Sequence, residues 1–111
     1  MELDELTKHM DYGKETNLEI LGLFMDTARI DLADLESAVK GGDAGRTAAA
    51  SHSIKGAAAS LGFMDIYQHA KAIEEGARGG ETIVSQELIK ALAAGLDEIV
   101  KAMEAYRLTP E

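Results

Sequence analysis

Residues 51 to 63 read SHSIKGAAASLGF, with His52 one helical turn ahead of Lys55 and Gly56. Free imidazole is mostly neutral at physiological pH, so an exposed histidine offers a ring-nitrogen lone pair as nucleophile. A lysine at i+3 lies on the neighbouring turn and can hold an ammonium beside a phosphoryl group on that ring. Phosphoryl transfer needs mainly positioning and charge neutralisation, so neither a base nor a metal is required on this chain if a partner supplies them. The chemistry to which these residue types point is therefore reversible phosphorylation of His52.

The face around His52 supports the same reading. At about 100° per residue, Ala50, Ile54, Ala57 and Leu61 fall opposite His52 and mark the core side of a helix. Gly45, Ala48, Ala49, Lys55, Gly56 and Ala59 share the histidine's side. A solvated helix face normally carries Glu, Lys, Gln and Arg. Gly56 costs on the order of 1 kcal/mol against alanine in a helix interior, and no local folding need demands it. Glycine and alanine leave the imidazole standing proud and let another backbone approach closely. The reading requires a ring that points outward and is not locked in ionic contacts with the chain's own carboxylates.

The elements that must position this face are helices. One proline in 111 residues, no alternating β-branched runs and abundant Ala, Leu, Glu and Lys predict an all-α chain. Residues 1 to 13 read as a short amphipathic helix with Leu3, Leu6 and Met10 inward and Gly13 as its stop. A second helix is expected from Thr16 or Asn17, either serving as cap, to about Lys40. Its stripe is Leu18, Leu21, Met25, Ala28, Leu32, Leu35 and Val39. Gly41-Gly42 ends it and Asp43 caps a third helix over residues 43 to 61, closed by Gly62. A fourth covers residues 64 or 65 to 77, with Ile66, Ala70, Ile73 and Ala77 inward, before Gly79-Gly80. The last runs from about Ser85 to Arg107, carrying Ile89, Leu92, Leu96, Ile99, Met103 and Tyr106, and Thr109-Pro110 terminates it. Short glycine connections favour antiparallel neighbours, giving an up-down-up-down four-helix bundle with the short N-terminal helix as a lid. At this length residues 1–111 form a single domain.

Composition narrows the partners. The formal charge of −9 repels nucleic-acid phosphates and anionic lipid. There is no cysteine and hence no disulfide, thiolate metal site or cysteine nucleophile. No apolar run reaches membrane-spanning length, and the acidic start MELDELTKHM carries no secretory pattern, so a cytoplasmic protein is expected. A start at Met1 and a short tail fit a free-standing protein, and a bundle of this size can bury its stripes as a monomer.

Other candidates carry less. Bundle metal sites use Glu-x-x-His pairs, whereas Leu6, Ala49 and Ile66 precede His9, His52 and His69 by three, so no metal is expected. GDAGRT at 42 to 47 is a helix connection rather than a phosphate loop. His69 reads as partly exposed, and Tyr12, Tyr67 and Tyr106 as half-buried packing residues. The methionines read as gap-fillers, and Glu74-Glu75 and Asp97-Glu98 as solvated faces.

The run H-x-x-K-G with a glycine ten residues after the histidine (His52, Lys55, Gly56, Gly62), together with Ala57, Ala58, Ala59, Ser60 and Leu61, resembles histidine-containing phosphotransfer (HPt) domains. The likeness extends from about Leu18 to Tyr106. It implies that His52 accepts a phosphoryl group from a receiver-domain aspartyl phosphate, or from a sensor or hybrid histidine kinase. The group then passes to another response-regulator receiver domain. It further implies a carrier rather than an enzyme, with no cofactor on this chain and Mg2+ on the receiver. Lys55 would steady the phosphate, Gly56 would make room for the receiver's loops, and Gly62 would be a structural turn. Gln68 would hydrogen-bond the imidazole. Docking would use Ala48, Ala49, Ala59 and Phe63, extended by Leu23 or Met10. A helical module that docks a receiver or kinase without being phosphorylated is the alternative.

Overall fold

The computed structural model describes residues 1–80 and 86–110, and every regular element among them is a helix. These are α1 (Leu3–Leu6), α2 (Lys14–Lys40), α3 (Ala44–Leu61), α4 (Met64–Arg78) and α5 (Gln86–Arg107). Helices adjacent in sequence from α2 onward are adjacent in space, α5 also touches α2, and α1 packs on α5. The molecule measures 48 × 19 × 19 Å, its long axis set by α2, whose 27 residues span about 40 Å.

The core matches the predicted stripes in most places. Leu21, Leu35, Ile54, Ile66, Ile73, Leu92 and Ile99 are fully buried, joined by Leu6 from α1. Leu18, Leu32, Val39, Ala57 and Leu61 are only half-buried. On α3 the buried face is instead turned toward Thr47, Ala48, Ala50, Ser51, Ile54 and Ala58. Polar residues fit there because the helix satisfies them itself. Ser51 donates to the carbonyl of Thr47 at 2.7 Å, and Thr47 donates to that of Asp43 at 2.8 Å. Small, internally bonded side chains let α3 lie close between α2 and α4.

Two caps hold α3 in place. The Asp43 side chain accepts from the Arg46 amide at 3.0 Å, as the sequence predicts. At the other end Gly62 is left-handed, with φ 75°, and the Phe63 amide reaches back to the Ala58 carbonyl at 2.9 Å. The left-handed torsion is what calls for glycine here, and a Cβ would in addition push aside the exposed His9 ring. Phe63 is buried beside this turn, its ring edge-on to Phe24 at 5.1 Å.

The N-terminal region departs from expectation. Only Leu3–Leu6 is helical before the chain turns, although Met10 is still drawn into the core. α2 begins at Lys14 with Gly13 (φ 86°) as its unassisted N-cap, so neither Thr16 nor Asn17 caps it. Asn17 is buried in the first turn because its side chain ties two segments together, accepting from the Tyr12 amide and donating to the Tyr106 hydroxyl at 3.1 Å. Tyr12 is exposed rather than half-buried. The expected start of the last helix at Ser85 lies outside the described residues.

Candidate functional site

α3 presents His52 to solvent: the side chain keeps 61% of its exposure. Around it the surface is low. A Cβ built at Gly56 would meet nothing within 4 Å, and Ala49 and Ala59 are exposed on the same side. Next to His52 in the chain, Ser53 donates to Asp31 of α2 at 2.6 Å, fixing the flank of α3 that faces α2.

On the opposite flank the imidazole is not free of carboxylates. His52 Nδ1 lies 2.8 Å from Glu74 Oε2. Glu74 was expected to be solvated, yet its side chain retains only 5% exposure, while Glu75 beside it is exposed. The register of the α3–α4 hairpin explains this. Two residues connect the helices, so His52, ten positions before Gly62, meets a residue about as far beyond the turn. That residue is Glu74. Gln68, six positions beyond Gly62, is too near the turn; it is exposed and makes no hydrogen bond to the imidazole.

Glu74 is the hub of the site. Its Oε1 accepts from Lys55 Nζ at 2.6 Å. Its Oε2 accepts from His52 and also from Arg78, at 3.0 Å from Nε and 2.7 Å from a terminal nitrogen. The Lys55 hydrogen bond, opposed by burial and assisted by Arg78 and His52, lowers the Glu74 carboxyl to about 2. An ionised carboxylate only accepts, so the contact is made with Nδ1 carrying the hydrogen. The lone pair then resides on Nε2, which has no partner among the described residues. The demand for an unlocked ring is met at Nε2 and refused at Nδ1. One nitrogen is held and the other is offered.

Several expected docking residues are elsewhere. Ala48 is buried because it sits on the flank of α3 that turns into the bundle, and Phe63 and Met10 are core residues. Ala49 and Ala59 remain available, and Leu23 is exposed on α2, as is Ile30 two turns further on. The sequence hinted at burial of Glu74 but not at its partner: it follows Ile73 and falls one turn from Ala70, on the border of the apolar stripe of α4, whereas its meeting with His52 depends on the register of the hairpin. Arg78, at i+4 from Glu74, could have been found from it.

Among the described residues no three histidine, aspartate or glutamate side chains gather in a way that could hold a metal ion. Nor is any helix among them long and apolar enough to cross a membrane. The family model of the Hpt domain matches residues 19–102, most of the chain. No curated protein and no solved structure matches the chain significantly.

Proposed function

Since this chain belongs to the Hpt domain family, whose members serve phosphotransfer in two-component signalling, we propose that His52 is the phosphoryl acceptor of a relay. The observation that carries this reading is the arrangement of the imidazole, an exposed ring with Nδ1 pinned by Glu74, which two cations also hold, and no partner on Nε2 among the described residues. The Nε2 lone pair attacks the phosphorus of a receiver's aspartyl phosphate, or of a kinase-borne phosphoryl group. The N–P bond forms as the donor's bond to phosphorus breaks: the P–O bond of an aspartyl phosphate, whose aspartate leaves as carboxylate, or the P–N bond of a kinase phosphohistidine, whose imidazole leaves. The hydrogen on Nδ1 stays in its bond to Glu74, which balances the positive charge that develops on the ring. Onward transfer reverses these steps at a second receiver, and Nε2 regains its lone pair.

The remaining residues fall into supporting roles. Gly56 and the exposed Ala49 and Ala59 let receiver loops close over the ring. Leu23 and Ile30 extend that surface on α2 as apolar contacts. Lys55 holds Glu74 ionised and keeps an ammonium near the phosphoryl oxygens. Mg2+ belongs to the receiver, and this chain acts as a carrier whose partners supply catalysis. Neighbour-to-neighbour packing supports an up-down-up-down path for α2 to α5. We read the chain as a monomer working in the cytoplasm.

Incubating the protein with a phosphorylated receiver, or with a matching kinase and ATP, tests this directly. Acid-labile phosphate is expected on the wild type and none on His52→Gln. Equal labelling of that variant would remove His52 from the reaction. A wild type that binds receivers yet never takes label would leave the docking module instead.

A further inference from the structure

The two flanks of His52 differ in charge. On the α4 side the cations Lys55 and Arg78 are both engaged by Glu74. On the α2 side the surface is apolar and acidic. Leu23 and Ile30, two turns apart on one face of α2, are 68% and 64% exposed. Asp31 and Asp34 adjoin Ile30, and neither forms an ion pair with a cation among the described residues. Arg29, two positions before Asp31, points to the far side of the helix. Asp31 has one partner, the Ser53 hydroxyl, which donates to its Oδ2 at 2.6 Å. Ser53 directly follows His52, so the held carboxylate marks the rim of the surface that a partner must cover to reach the imidazole. A neutral hydroxyl leaves the charge itself uncompensated. Aspartate is also a poor helix former, and like charges one turn apart repel, so the pair gives α2 itself no advantage.

We propose that Asp31 is a specificity-determining residue, selecting receivers that present a lysine or arginine to the α2 flank while Leu23 and Ile30 take their apolar contact. The inference rests on the phosphocarrier reading above. Charge complementarity decides the partner's chemistry. Exposed apolar residues suit a protein surface, and an uncompensated carboxylate beside them penalises any surface that brings an acid there. A body with a formal charge of −9 also repels acidic partners at a distance. A basic residue opposite Asp31 offsets that repulsion where the two proteins meet. Ser53 contributes by preorganisation: with Asp31 already held, little rotamer freedom is left to lose when a guanidinium or ammonium arrives. Asp34, exposed one turn further along α2, strengthens the field at the same place. Asp31 acts on docking and takes no part in the chemistry at Nε2.

Comparing a receiver with a small phosphoryl donor separates docking from chemistry. The receiver is one that labels the wild type, phosphorylated with acetyl phosphate. The small donor is phosphoramidate, whose P–N bond breaks as Nε2 attacks phosphorus and ammonia leaves. Asp31→Asn keeps an acceptor for Ser53 and removes the charge. It is expected to raise KM for the receiver about fivefold, the upper range for one exposed ion pair. Its kcat, phosphoramidate labelling and thermal midpoint are expected to stay at wild-type values, and the salt dependence of kcat/KM to weaken. Asp31→Lys is expected to lose more, and to regain transfer with one receiver variant from a set in which each exposed Lys or Arg around the phosphorylated aspartate is replaced in turn by Glu. Unchanged KM and salt dependence for Asp31→Asn, or no receiver variant that rescues Asp31→Lys, would overturn the proposal while leaving His52 as acceptor. So would phosphoramidate labelling that falls in parallel, since Asp31 would then act on the ring through α3. A wild type that takes no label from phosphoramidate or from any phosphorylated receiver would overturn this inference together with the reading beneath it.

Discussion

Glu74 decides what kind of histidine His52 is. An exposed imidazole with no neighbour samples both tautomers, whereas this one has its hydrogen directed to a buried, ionised carboxylate. The proposed acceptor, with Lys55 and Gly56 beside it on α3, could be picked out from residue type and spacing alone. Glu74 was not, because its importance depends on hairpin register, which spacing within one helix does not reveal. The same residue has a measurable thermodynamic signature. Its folded carboxyl is lowered from 4.5 to about 2, so its stabilising contribution is fully present above about pH 4.5 and is lost as pH falls toward 2. That shift corresponds to something on the order of 3 kcal/mol. Urea unfolding of wild type and Glu74→Gln across pH 7 to 2 should show the wild type more stable at neutral pH and the gap closing below pH 4.5. A gap that stays constant down to pH 2 would show that Glu74 is not held ionised by Lys55 and Arg78.

At the scale of elements, α3 reconciles two conflicting demands. Its inner face must pack between two long helices, and its outer face must stay bare. Thr47, Ser51 and Ala58 meet the first, since they are small and the hydroxyls of Thr47 and Ser51 are bonded to their own helix, which allows close approach. The predicted stripe on α3 was off by part of a turn for this reason: serine and threonine look like surface residues until their carbonyl partners on the preceding turn are counted. Caps were easier to read. Asp43 and Gly62 do what their residue types dictate, whereas Asn17 was drawn away from capping by tertiary bonds to Tyr12 and Tyr106. Gly56 has no packing role, because a side chain there would enter open space. Gly56→Gln should therefore leave the protein as stable as wild type or more so, by up to about 1 kcal/mol. Phosphoryl transfer from a receiver should nonetheless slow markedly, while labelling by phosphoramidate stays near the wild-type rate. Full-rate transfer from the receiver would show that the bare floor is not needed for close approach.

The whole molecule puts a small cationic cluster on an acidic body. With a formal charge of −9, the chain nonetheless gathers Lys55 and Arg78 around Glu74 beside His52, where the proposed phosphoryl group would arrive. The fold class and four long helices were legible because amphipathic periodicity over 15 to 27 residues leaves little choice. The docking surface was read less well. Phe63, Met10 and Ala48 looked available but are buried, since apolar residues near a turn are claimed by the core before any partner arrives. The central claim concerns a single atom, and nuclear magnetic resonance of the protein labelled with 15N at histidine and phosphorylated by phosphoramidate tests it most directly. The account predicts one phosphorus resonance, coupled to Nε2 of His52, with Nδ1 still carrying its hydrogen. Phosphorus bonded to Nδ1, or to a residue other than His52, would contradict it.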